Sequence, residues 1–151
     1  TLRRYRKRRE FIKLLQFLQE NLKTGHPHRL HKSLFYLGNL RIVESISDLI
    51  VLLEHSEEEI REKALDTLRL LTLQDFEQTP KKWLKWYQSH ENQSRKQWVV
   101  DAMNHSDHKV RARVKEELQL EFGDDFGYDP QGSSEARERI RKLAGLWIKQ
   151  E

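Results

Sequence analysis

Five histidines have a spacing that could bind a metal ion. His26, His28 and His31 lie within one short stretch, and His105 and His108 lie three positions apart. Zinc and nickel accept imidazole ligands, but a closed site needs a fourth ligand and a fixed backbone. The first group flanks a proline in a turn, and no matched carboxylate accompanies it. We therefore expect no metal site here.

Three aspartates in a glycine-rich stretch could bind calcium. Asp124, Asp125 and Asp129 lie between Gly123 and Ser134. The alternating oxygen ligands and the terminal glutamate of an EF-hand loop are absent. The composition therefore predicts a turn rather than a calcium site.

Catalytic motifs are also missing from the sequence. It contains no Gly-x-Ser-x-Gly, no Walker loop, no His-Glu-x-x-His and no nucleotide-binding fingerprint. It has no cysteine, which excludes thiolate nucleophiles, disulfides and cysteine zinc sites. The carboxylates fall on predicted helix faces and caps. We therefore expect no enzyme activity and no cofactor.

The strongest local signal is a basic segment at residues 1–10. Six cations precede Glu10, namely Arg3, Arg4, Arg6, Lys7, Arg8 and Arg9. They give this segment a net charge of +5, so the rest of this +4 chain sums to −1. Such a cluster attracts anionic lipid headgroups or nucleic acid. It also fits the cytoplasmic flank of a membrane anchor, and we rank membrane proximity above nucleic acid. The alternative is a solvated helix start.

The elements that must position these residues are helices. Apolar residues recur three and four positions apart, which predicts about eight helices and no strand. In the first helix this spacing predicts that Phe11, Leu14, Leu15, Leu18 and Leu22 face inward. Pro80 is suited to begin a short helix. The aromatic residues at helical spacing are predicted to be core: Trp83, Trp86, Tyr87, Trp98 and Trp147.

An internal repeat has an offset of fifty residues. Residues 43–80 align without a gap on residues 93–130, so that His55-Ser56 matches His105-Ser106 and Ile60-Arg61 matches Val110-Arg111. Such a repeat indicates stacked helical units that share one core. The first copy has Leu73 and Glu77 where the second has glycines, so we expect its turn to differ.

The Ile/Val-Arg pair that begins the second helix of each copy resembles the B helix of HEAT repeats. The stretch from Gly123 to Pro130 is similar to a loop appended to each repeat in bacterial HEAT proteins, before a Trp-bearing helix. The resemblance covers roughly residues 28–151. It implies an all-α, HEAT-like superhelix, a short solenoid of about eight helices over residues 11–151, with repeats at approximately 11–42, 43–92 and 93–151. It implies no particular activity.

We therefore predict a non-catalytic scaffold for protein–protein interaction, either free or as the soluble part of a larger or membrane-anchored protein. A cytoplasmic location is expected, with the cytoplasmic face of a membrane as one setting. The alternative is a helical-repeat protein that binds nucleic acid, using the N-terminal cations and a second basic block of nine residues: Lys81, Lys82, Lys85, Arg95, Lys96, Lys109, Arg111, Arg113 and Lys115.

Three residues are predicted to contact the partner. Lys63 and Arg113 occupy matched positions in the two copies, and packing requires neither of them. Tyr128 lies in the longest predicted loop, where it is expected to be free. The matched pair Arg61 and Arg111 is predicted to have a structural role, pairing with acidic neighbours to tie units together.

Overall fold

The structure is a computed structural model that describes the backbone of residues 2–150 and the side chains of residues 7–150. This part of the chain is all-α, as predicted, and contains no strand. The described residues form eight α-helices: α1 (Leu2–Leu22), α2 (Pro27–Asn39), α3 (Ile46–Leu52), α4 (Glu58–Thr72), α5 (Pro80–His90), α6 (Arg95–Ala102), α7 (His108–Phe122) and α8 (Ser134–Ile148). A 3-10 turn, Val43–Ser45, precedes α3.

Polar side chains cap the helices of the second half. Ser94, Asp107 and Ser133 each accept a hydrogen bond from a backbone N–H in the first turn of α6, α7 and α8. The first N–H groups of a helix lack intrahelical partners, so these caps fix where each helix begins. Pro80 is the first residue of α5, as its ring geometry predicts.

The chain forms two compact units. Unit 1 comprises Thr1–Leu71 and Glu77–Leu84, and unit 2 comprises Thr72–Phe76 and Lys85–Glu151. The interior of unit 1 includes Leu30, Leu34, Leu37, Ile46, Leu49, Ile60, Leu68 and Trp83. The interior of unit 2 includes Leu73, Val99, Val100, Met103, Val110, Val114, Leu118, Tyr128 and Ala144.

A histidine makes the same turn contact in both copies of the repeat. The Glu57 backbone N–H donates to Nδ1 of His55 over 3.0 Å, and the Asp107 N–H donates to Nδ1 of His105 over 3.0 Å. In both copies the ring nitrogen thus closes the turn before the next helix. The matched His-Ser dipeptides of the sequence are thus equivalent in local structure.

The matched arginines also make equivalent contacts. Arg61 Nη1 donates to the carbonyl oxygens of His55 and Ser56 over 2.7 and 3.1 Å. Arg111 makes the same two contacts fifty positions on, over 2.6 and 3.0 Å, and its Nε also donates to the Pro130 carbonyl. These contacts are structural, but the predicted acidic partners and the predicted link between units are wrong, because the acceptors shown are backbone carbonyls of the same copy.

The turn after the second helix is alike in both copies at two positions. Leu73 and Gly123 have φ values of +56° and +68°, and Glu77 and Gly127 have +49° and +69°. The turns are therefore alike at these two positions, but they differ as predicted at Phe126, whose φ is +54° while its equivalent Phe76 has no positive φ. A left-handed conformation costs an L-residue about 1–2 kcal/mol. At Leu73 this cost is offset because the side chain is fully buried in unit 2.

The aromatic residues are not all core. Trp83 and Trp98 are buried, whereas Trp86 and Tyr87 are half-buried. The prediction was wrong for Trp147, which is 55% exposed. In the last turns of α8, Ala144 is buried in the unit 2 core and Ile148 packs against that core, whereas Trp147 remains largely exposed.

Candidate functional site

The N-terminal cations lie on helix α1. Lys7, Arg8 and Arg9 are exposed. The side chains of Arg3, Arg4 and Arg6 lie outside the described residues. The prediction that this cluster binds an anionic surface therefore stays a prediction, with three of its six side chains placed on the surface of unit 1.

Lys63 is an exposed residue that already has neighbours in unit 1. Its Nζ donates to His31 Nδ1 over 2.8 Å and lies 3.5 Å from the Glu59 carboxylate. His31 thus contacts a lysine, and within the described residues no three His, Asp or Glu side chains form a group that could hold a metal. Arg113 is half-buried on α7. Partner contact by Lys63 and Arg113 stays a prediction.

Tyr128 is a core residue, so its predicted role as a free loop contact is wrong. It is 1% exposed, and its hydroxyl donates to the Met103 carbonyl over 2.6 Å. Burial raises the pKa of this phenol to about 12, although the nearby Arg111 opposes the shift. The loop folds onto unit 2 because this large side chain fills the interior and its polar end finds a partner.

Cations of the second basic block have structural contacts within unit 2. Arg95 is buried and donates to Glu117 and Glu121 over 2.5 and 2.8 Å. Lys115 lies 3.6 Å from the Asp125 carboxylate. Arg111 donates to backbone carbonyls, as described above. These contacts reduce the positive charge that unit 2 offers to a nucleic acid.

Unit 2 contains an open cleft of about 440 Å³ that joins α6, α7, the following loop and α8. Its wall combines aromatic rings with charged and amide groups, from Lys96, Glu121, Phe122, Asp124, Phe126, Trp147 and Gln150. Lys96 Nζ lies 5.4 Å from the centre of the Phe122 ring, which packs edge-on against Phe126. The cleft offers both hydrogen-bond donors and acceptors beside apolar surface, a combination suited to binding a peptide or helix.

Exposed apolar side chains continue from this cleft along α8. Leu143 and Leu146 lie close to Trp147 in the helix, and all three are exposed. Sequence reasoning missed this surface because helical spacing assigned Trp147 to the core. Alanine at position 144 was the available signal, since a small buried residue marks the inward face while larger neighbours remain outside.

A second surface lies between α1 and α2 in unit 1. Phe17 and Tyr36 are exposed beside Arg29 and Lys32, around a groove of about 300 Å³. Among the described side chains of α1, those of Leu18 and Leu22 are buried, and both lie in its second half. The prediction that Phe11 and Leu14 face a core is wrong, because both are exposed.

Comparison with protein-family models, with curated proteins and with solved structures gives no match for this chain. Among the described residues, no helix is both long and apolar enough to cross a membrane. The candidate sites therefore rest on the residues and their geometry alone.

Proposed function

We propose that this chain is a non-catalytic protein-interaction module of the HEAT-like repeat type, and that it binds a helix of its partner at the unit 2 cleft beside Trp147. The repeat assignment is supported by the histidine and arginine contacts that recur at an offset of fifty residues. HEAT-like arrays use stacked helix pairs to present extended binding surfaces.

The observation that carries this proposal is the contrast between two equivalent tryptophans. Trp86 packs edge-on against Trp98 of α6, with ring centres 5.1 Å apart, and stacks on His90 at 4.5 Å. Trp147 aligns with Trp86 once about eleven extra loop residues are allowed. It is half exposed beside two exposed leucines. A position that packs against a helix in one copy is thus open in the other.

The partner chemistry follows from this contrast. An exposed tryptophan next to leucines forms an apolar patch, and covering it with a partner is favourable in free energy. Tryptophan is also enriched among the residues that contribute most to binding energy. The helix that covers Trp86 presents an aromatic ring, so we expect an apolar or aromatic residue on the partner helix. Asp124 and Gln150, which are exposed at the cleft wall, would pair with polar groups at the edge of the partner helix.

The test is a binding measurement with Trp147→Ala. A partner captured from the cells of origin is purified, and its affinity for the chain is measured by calorimetry. We expect an affinity loss of about thirtyfold or more, the effect of truncating a central binding residue. The melting temperature should change little because the ring is half exposed.

The matched control is Val51→Ala, since Val51 is a 72% exposed apolar residue on α3 in unit 1. It should leave the affinity unchanged. Equal affinity for wild type and Trp147→Ala would contradict this site. A large loss of folding stability in Trp147→Ala would instead identify the ring as structural.

A further inference from the structure

The middle of α1 has apolar side chains that no described element fully covers. Phe11, Leu14 and Phe17 are 42%, 41% and 61% exposed. At about 100° per residue, Phe11 lies on the same side as the buried Leu18 and Leu22, Leu14 lies about 60° from Phe11, and Phe17 lies at the edge of this side. The apolar side is thus covered at Leu18 and Leu22, whereas Phe11, Leu14 and Phe17 remain largely open to solvent.

Cations accompany these apolar side chains. At about 100° per residue, Arg9, Lys13 and Gln16 lie on the side opposite Phe11, and Glu10 lies between Leu14 and Phe17. Lys7 and Arg8 precede the apolar residues, and all four cations are exposed. Between residues 7 and 17 the single acidic residue is Glu10. This part of α1 therefore has a polar side opposite Phe11 and a net positive charge.

We propose that the middle of α1 lies in the surface of an anionic lipid membrane, with Phe11, Leu14 and Phe17 inserted at the boundary of headgroups and acyl chains. Helices with one apolar side and a polar side rich in Lys and Arg bind in this way. The cations are attracted to the negative surface potential of anionic lipids. This activity is independent of the proposed protein partner, because it uses a different surface, in unit 1.

The positive charge of α1 distinguishes between the partners that could cover its apolar side chains. A second copy of the chain would bring two cationic helices together, which mutual repulsion opposes. A nucleic acid would satisfy the cations through its phosphates but would leave the apolar side chains exposed to water. An anionic membrane is the partner that meets both the charge and the apolar side chains.

The experiment measures flotation of the full chain with vesicles of phosphatidylcholine, alone or with about one quarter phosphatidylserine. We expect binding only with phosphatidylserine, and a drop of about tenfold when salt rises from about 0.1 to about 1 M. Binding to both vesicle types alike, or to neither, would overturn the proposal.

Two sets of variants separate the charge from the apolar side chains. Arg8→Gln with Arg9→Gln and Lys13→Gln should reduce binding at least tenfold, and Leu14→Ser with Phe17→Ser should do the same. The matched controls are Lys81→Gln with Lys82→Gln, and Val51→Ser, because these residues are exposed elsewhere in unit 1. Circular dichroism checks that each variant keeps its helix content. Equal losses in the control variants would contradict a specific role for α1.

The chain has no cysteine, so a single introduced cysteine can carry a dye that reports membrane insertion at a chosen position. Leu14→Cys and Gln16→Cys each carry one polarity-sensitive dye, on opposite sides of α1. We expect a blue shift on vesicle binding at position 14 and little change at position 16. Salt-sensitive binding without a blue shift at position 14, or equally strong binding to duplex DNA that ignores Leu14→Ser, would refute insertion. Self-association that buries position 14 without lipid would refute it as well.

Discussion

Residues 45 and 67 of the first copy and residues 95 and 117 of the second occupy equivalent positions, and all four are buried. In unit 1 these are Ser45 and Thr67, whose hydroxyls donate to the carbonyls of nearby residues in their own segment, over 2.7 and 2.8 Å. In unit 2 they are Arg95 and Glu117, which form an ion pair of 2.5 Å.

The difference shows that the two copies bury polar side chains at equivalent positions in two different ways. The hydroxyls of Ser45 and Thr67 donate hydrogen bonds to nearby backbone carbonyls. Replacing either residue should therefore cost little folding stability. The Arg95–Glu117 pair instead links α6 to α7, and each charge depends on its partner because a buried charge without one is strongly unfavourable. The second copy should therefore tolerate substitution at these positions far less well than the first.

The largest expected effect is at Glu117. Glu117→Ala should lower the free energy of unfolding by about 3–5 kcal/mol, because it removes the buried carboxylate that pairs with the buried Arg95. Thr67→Ala, the equivalent change in the first copy, should cost about 1 kcal/mol. Urea unfolding of both variants measures the contrast, and similar losses in the two copies would contradict it.

The double variant Arg95→Ser with Glu117→Thr gives the second copy the serine and threonine that the first copy has at these positions. It removes both charges, so its loss of unfolding free energy should be smaller than the sum of the losses in the single variants Arg95→Ser and Glu117→Thr. Strict additivity would mean that the pair carries no coupling.

The two left-handed turns provide the next comparison. Leu73→Gly should destabilise by about 2–4 kcal/mol, because the loss of a fully buried side chain exceeds the relief of its positive φ. Glu77→Gly should stabilise by up to about 1 kcal/mol, since Glu77 is exposed and gains the residue that the second copy already has. Thermal melts measure both changes. A stabilising Leu73→Gly would show that strain rather than burial dominates at this position.

The smallest expected effect concerns Tyr128, whose equivalent in the first copy is the exposed Gln78. Tyr128→Phe removes a buried hydroxyl bonded to the Met103 carbonyl and should cost about 1 kcal/mol. Its pKa is raised from 10.0 to about 12, so the folded state holds the proton more tightly than the unfolded state does. The corresponding stability is present below pH 10 and is lost as the pH rises toward 12.

Wild type should therefore lose more stability than Tyr128→Phe across this alkaline range, and Gln78→Ala should not alter the difference. Melting temperatures measured at several pH values test this. Parallel pH curves for wild type and Tyr128→Phe would show that the phenol does not contribute.

Local pattern predicted much of this protein. The eight helices, the beginning of α5 at Pro80 and the repeat at an offset of fifty follow from periodicity, caps and residue spacing. These are properties of a few neighbouring residues, so they can be read before the chain is folded. The structural role of Arg61 and Arg111 could also be predicted, because identical residues at matched positions indicate the same local contact.

Tertiary structure decided which apolar and aromatic side chains are covered. Helical spacing places Phe11, Leu14 and Trp147 on apolar faces, but exposure depends on whether another element packs there, and none of the described elements does. Tyr128 shows the converse, since a loop residue became core when its ring filled the interior of unit 2. Leu73 likewise adopts a left-handed backbone because burial offsets the strain. These outcomes depend on contacts between residues distant in sequence, which local pattern does not specify.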